Sequence, residues 1–144
     1  MTYIEEYYQF LLKNPDKACH KVLITYKKLT QDIYNPKQVS FFNEITEEQE
    51  IHTYIFNESK GNRPINFIEK FCKHSKGKWA GKPVMLELWQ KAFIQALFGF
   101  VDKETGLRKY KKGILDVGRK NGKSTIDAGL GNYMLTSDGE GGAE

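Results

Sequence analysis

Residues 84–100, VMLELWQKAFIQALFGF, place apolar side chains on nearly every face of a helix. A helix of that kind has no side to give to water, so the remainder of the chain must surround it. Its most apolar run, Ala92 to Val101, is too short to cross a bilayer, and the surround is therefore protein rather than lipid. With 144 residues, of which 40% are hydrophobic and 13% aromatic, the chain has enough apolar material to build one small core.

The segments before this helix read as further helices. YIEEYYQFLL, residues 3–12, leads to NPDKACHKVLITYKKL, where Asn14 is a candidate cap, Pro15 suits a first helical position, and Cys19, Val22, Leu23, Tyr26 and Leu29 form one stripe. Thr46 and Gln49 have capping-box spacing ahead of Ile51, Tyr54 and Ile55, which predicts another helix there. Phe67, Ile68, Phe71 and Cys72 predict a short helix, and SKGKWAGKP, residues 75–83, a loop. Beyond the apolar helix, Asp102 to Gly106 carries a turn signal whose flanks suit a hairpin. GILDV, residues 113–117, reads as a strand, and Ile126, Leu130, Tyr133 and Met134 return to helical spacing. Residues 136–144, TSDGEGGAE, have linker chemistry.

The net charge of +4 says little by itself, but its distribution is uneven. Lys103 to Lys123 holds eight Lys/Arg against Glu104 and Asp116, Lys70 to Lys82 adds five lysines without an acid, and only acids follow Lys123. Such blocks are solvated faces or anion sites. Cys19-His20 and Cys72-x-His74 lack zinc-ligand spacing, and two cysteines make no disulfide framework. The start, MTYIEEYY, lacks the pattern of a secretion signal, so a reducing cytoplasm is the default location and no membrane span is expected.

The chemistry concentrates in GILDVGRKNGKST, residues 113–125. A phosphate cradle needs a strand that fixes a loop, small residues that let backbone amides turn inward, and a helix whose N-terminus faces the anion. ILDV offers the strand, Gly118 and Gly122 the backbone freedom, and the helix near Lys123 the positive dipole end. A strict G-x-x-x-x-G-K-[ST] pattern would put its first glycine where Val117 stands, so the spelling is altered while the physical site is kept. Lys123 would reach the phosphates and Ser124 would bind Mg²⁺, with Lys120, Asn121 and Thr125 completing the loop. Arg119 and Lys120 exceed what a nucleotide already met by one lysine and Mg²⁺ requires, which leaves at least one of them for a transition state or for DNA. A solvated basic turn is the plain alternative.

RKNGKS after an apolar strand, preceded by LELWQKAFIQALFGF and GKWAGKP, resembles the N-terminal part of the large terminase subunit of tailed double-stranded-DNA phages. The resemblance runs from about Asn62 onward. It implies an α/β fold: a helical lead-in over 1–61, then over 62–144 the first strand-loop-helix unit of a P-loop ATPase with an incomplete sheet. It implies that ATP and Mg²⁺ are the cofactors, with Lys123 as the phosphate-loop lysine and Ser124 as the Mg²⁺ hydroxyl. It further implies that Gln90 contacts the adenine edge and that Arg119 acts in cis as an arginine finger. The partners implied are double-stranded phage DNA, a portal protein and a small terminase subunit, in an oligomeric motor in the host cytoplasm that translocates and cuts DNA.

ATP hydrolysis also needs a carboxylate on a second apolar strand, and no apolar run ending in Asp-Glu follows Ser124. Asp116 lies within the feeding strand and reads as structural. The acidic metal nuclease of the family has no counterpart either. The reading is thus of a fragment that binds ATP without completing turnover. A different P-loop enzyme, such as a kinase, and a basic DNA-binding module without nucleotide chemistry are the alternatives.

Overall fold

The computed structural model describes residues 1–75 and 77–139. Its elements are α1 (Tyr3–Lys13), α2 (His20–Tyr34), β1 (Lys37–Asn43), β2 (Glu48–Phe56), α3 (Glu58–Phe71), α4 (Leu88–Gly99), β3 (Phe100–Asp102) and α5 (Lys123–Thr136). The fold is α/β, with one antiparallel sheet in the order β1-β2-β3.

The apolar helix is α4, which begins at Leu88 rather than at the Val84 end of the apolar stretch, and it is surrounded as its composition requires. Ile94 and Phe98 point into a core with Ile65 and Ile68 of α3, Val84 and Leu86 of the preceding loop, and Ile126, Leu130 and Tyr133 of α5. Ala92 and Ala96 face a second core with Ile4, Leu11, Tyr26, Leu29 and Phe100. Two residues along a helix turn it by about 200°, so these i, i+4 pairs serve opposite sides. Between the cores Gln95 is fully buried. Its Oε1 accepts from the Ile4 amide at 3.1 Å, and its Nε2 donates to Asn62 Oδ1 at 2.7 Å, so one amide joins α1, α3 and α4. α3 comes close enough for this because Gly61 lacks a side chain: a Cβ there would lie 2.9 Å from Gln95 Cγ and 3.2 Å from Gly99 Cα.

Local signals account for several boundaries. Thr2 and Glu5 form a capping box on α1, and the Thr136 end of α5 is closed by the Ser137 amide on the Tyr133 carbonyl at 2.8 Å. The turn after β3 forms as its residues predict. The Asp102 amide meets the Leu107 carbonyl, the Lys109 amide meets the Phe100 carbonyl, and Val101 pairs with Arg108. Asp32, buried in α2, faces Lys37 Nζ at 2.7 Å and Lys109 Nζ at 3.8 Å, which ties β1 and the segment after this turn to α2.

Three sequence expectations are corrected. The lead-in is not wholly helical, because residues 37–56 form the β1–β2 hairpin with Val39 opposite His52 and Phe41 opposite Glu50. Alternating β-branched and aromatic residues outweigh the apparent capping box. Thr46 sits instead in the connecting turn, where Asn43 Oδ1 accepts from the Ile45 and Thr46 amides at 2.9 and 3.3 Å. Asn14 and Pro15 start only a short 3-10 turn, and α2 begins after Cys19. Most consequentially, residues 113–117 are not a strand, and the sheet is antiparallel rather than the start of a parallel P-loop sheet. A strand exists only through its ladder, and no segment among the described residues pairs with this one. Ile114 is 92% exposed, while Leu115 rests against the α3–α4–α5 core. The helix α3 continues through positions 61 and 62. Of the linker-like tail, residues 140–144 lie outside the described residues.

Candidate functional site

The loop from Val117 to Gly122 enters α5 through a left-handed backbone. Gly122 is the N-cap at φ 74°, and Lys120 also has positive φ, at 65°. Glycine takes this conformation without strain, while a lysine there depends on its surroundings to hold it. The N-cap supplies no side-chain oxygen, and no acid lies in the first turn of α5. The first amides of α5 thus keep their hydrogen-bonding capacity at the positive end of the helix dipole.

Side chains brace the loop through its carbonyls. Lys123 Nζ reaches back to the Val117 carbonyl at 2.6 Å, and Asn121 Nδ2 donates to the Gly118 carbonyl at 3.1 Å. Gln90, buried near the start of α4, donates through Nε2 to the Asn121 carbonyl at 3.2 Å and accepts the Glu87 amide at 2.8 Å through Oε1. Its amide group therefore links the N-terminus of α4 to the loop. The fit is close: a Cβ at Gly122 would lie 3.2 Å from Gln90 Nε2, and one at Gly118 3.3 Å from Asn121 Nδ2. At the other end of the segment, a Cβ at Gly113 would meet Phe93 Cζ at 3.0 Å, so α4 supports both ends.

The structure thus brings together Gln90, Gly118, Asn121, Gly122 and Lys123. It does not bring in Arg119, Lys120, Ser124 or Thr125 through side-chain hydrogen bonds among the described residues; Arg119, Lys120 and Ser124 face solvent and Thr125 is half-buried. Asp116 is likewise exposed. The Val117 carbonyl carries no sequence signal as the partner of Lys123, because any residue offers the same group. An anion fits this arrangement, since the loop presents uncapped amides, a lysine that can change partners, and glycines where side chains would fill the space. Among the described residues no group of three His, Cys, Asp or Glu is able to bind a metal ion.

A cavity of about 300 Å³ lies elsewhere, at the C-terminal end of α5, lined in part by Lys60, Arg63, Phe98, Arg108 and Tyr133. Its cations are engaged with the protein. Lys60 Nζ donates to the Gly106 carbonyl at 2.8 Å, Arg63 Nη2 to the Ser137 carbonyl at 3.2 Å, and Arg108 pairs with Asp138 at 3.4 Å. These contacts close the turn after β3 and the end of α5, and the chemistry expected of residues 117–125 does not depend on them. Among the described residues, no helix is long and apolar enough to cross a membrane.

Over 72 residues the chain is 40% identical to a protein of Enterobacteria phage HK97 described as "Terminase, large subunit". The similarity covers 50% of this chain and 13% of that protein. It relates the chain to phage large terminase subunits over half of its own length. No family model matches the chain, and no solved structure matches it.

Proposed function

We propose that this chain is part of a DNA-packaging terminase large subunit and that residues 117–125 are the ATP-binding loop of its motor. The observation that carries the reading is Lys123, whose ammonium lies 2.6 Å from the Val117 carbonyl, at the start of a helix with no side-chain cap. A lysine held on a neutral carbonyl gains by moving to a phosphate oxygen, where the hydrogen bond becomes charge-assisted on both sides. The similarity to a large terminase subunit supports the same reading.

In this proposal the α5 amides and Lys123 bind phosphate oxygens, and Ser124 gives one oxygen to Mg²⁺. Bound MgATP supplies the phosphoryl group whose transfer to water drives DNA movement. Gln90 holds the loop to α4, and contact with the adenine edge requires it to exchange one of its two present partners. Arg119, exposed within the loop, is the candidate for stabilising charge on the γ-phosphate. Double-stranded phage DNA, the portal and the small subunit are the proposed partners of the whole protein.

Binding is the proper test, because the reading concerns a nucleotide held by Lys123 and the first amides of α5. A fluorescent ATP analogue titrated with Mg²⁺ should bind wild type at least about tenfold more tightly than Lys123→Ala. Equal binding by the two would overturn the phosphate-loop reading and leave a basic surface without nucleotide chemistry.

A further inference from the structure

We propose that the loop carrying Trp79 is a docking tongue for single-stranded nucleic acid, in which the indole stacks on a base while Lys78 and Lys82 meet the flanking phosphates. This inference concerns residues remote in sequence from the phosphate loop and does not rest on that reading.

The tongue is pinched at its base. Lys73 pairs with Pro83, the His74 amide meets the Lys82 carbonyl at 2.9 Å, and the Val84 amide meets the Cys72 carbonyl at 3.0 Å. Directly beyond the base, Val84 and Leu86 are buried in the α3–α4–α5 core, which anchors it. Gly77 and Gly81 turn the chain through positive φ, 77° and 79°, and nothing lies within 4 Å of where a Cβ would stand on either. Those glycines serve the turn rather than close packing.

Trp79 is 51% exposed and belongs to neither core. Its ring has Lys82 Nζ at 4.7 Å and Lys78 Nζ at 5.4 Å from the centroid. Nearby in sequence, the exposed Phe71 has Lys70 Nζ at 5.2 Å from its ring. Among the described residues Lys70, Lys73, Lys78 and Lys82 make no ion pair, and no Asp or Glu occurs between Lys70 and Lys82. The nearest acid before them, Glu69, is committed to Lys91 at 3.0 Å and to the Leu86 amide at 3.0 Å. The patch is thus a positive surface without acidic partners that carries exposed aromatic side chains.

That pairing of chemistry selects its partner. Phosphates alone would need only the lysines, and an apolar protein partner would leave their charge unanswered. A single strand offers both a π-face and a flanking anion, so the ammonium groups can move from the ring to phosphate as a base takes their place. A duplex keeps its bases stacked on one another and would leave Trp79 idle.

The test is fluorescence anisotropy of labelled single strands of about 15 nucleotides, dT and U series, titrated with the full chain. Trp79→Ala and Trp79→Leu should each weaken binding about five- to a hundredfold, Trp79→Phe much less, with melting temperatures unchanged. Replacing Lys78 and Lys82 together by Ala should reduce the slope of log affinity against log salt by about 1.4. Dependence on Trp79 with either the DNA or the RNA strand supports the proposal, and Lys123→Ala should leave it intact. Wild-type affinity in Trp79→Leu, equal competition by a duplex of the same length, or loss of binding in Lys123→Ala would each overturn it.

Discussion

Two polar turns in this protein are closed in opposite ways. In the turn after β3, an acidic side chain collects amides: Asp102 Oδ1 accepts from the Glu104 and Thr105 amides at 2.9 and 2.8 Å and from Thr105 Oγ1 at 3.1 Å. Its other oxygen lies 2.8 Å from His52 Nδ1. In the loop before α5, side-chain donors collect carbonyls, as Lys123, Asn121 and Gln90 each donate to a backbone oxygen. No side-chain oxygen among the described residues caps an amide of that loop. The first turn thus has its amides met by the protein, whereas the second has side-chain donors on its carbonyls and no side-chain acceptor on its amides. An anion has nothing to offer at Asp102 and a ready set of partners at Lys123.

The sharpest way to break this comparison is to remove the acceptor from the closed turn. Asp102→Ala should strip the Glu104 and Thr105 amides and His52 of their shared partner and lower Tm by several degrees. Binding of the ATP analogue should not change, because the loop takes no contact from Asp102. A large loss of analogue affinity in a folded Asp102→Ala protein would show that the two turns are coupled.

Gly122→Ala should act more mildly and on the other side of the comparison. Alanine at φ 74° costs about 1–2 kcal/mol, and its Cβ would press on Gln90 Nε2 at 3.2 Å. A Tm loss of a few degrees is expected together with a severalfold weaker analogue, since Gln90 and the N-terminus of α5 both shift. Weaker binding without any loss of stability would mean that the glycine serves the ligand and not the loop.

What the sequence made legible follows how local each signal is. The helices α1, α4 and α5 were readable because their apolar spacing lies within one segment, and so was the turn at Asp102 to Gly106. The β1–β2 hairpin was not. Thr46, three residues before Gln49, satisfies a capping-box pattern, and only pairing between Lys37–Asn43 and Glu48–Phe56 reveals that Thr46 is in a turn. The strand at 113–117 failed for the converse reason, since its composition is strand-like but a ladder needs a partner. At the loop, the glycines, Lys123 and Ser124 stand out by residue type. The carbonyl partners of Lys123 and Asn121 do not, because backbone oxygens leave no mark in a sequence.

The smallest effect expected is a pH dependence confined to the closed turn. Its hydrogen bonds, first to Thr105 and then to His52 and Glu104, hold the Asp102 carboxyl down from 3.8 to about 2. Hydrogen bonds to Asp102 and Glu50 raise the His52 imidazole above 6.5. A carboxylate with a depressed folded value contributes full stability above its unfolded value and loses it as pH falls through about 2. A histidine with a raised folded value contributes fully below its unfolded value of 6.5 and loses it as pH rises through the raised one. Tm should therefore be highest between about pH 4 and 6.5 and decline on both sides. His52→Gln should remove the alkaline decline, because the turn then has no cation to lose, while leaving the part of the acid decline that Asp102 owes to Thr105 and Glu104. If the alkaline decline persists in His52→Gln, the groups that stabilise the sheet in that range lie outside this turn.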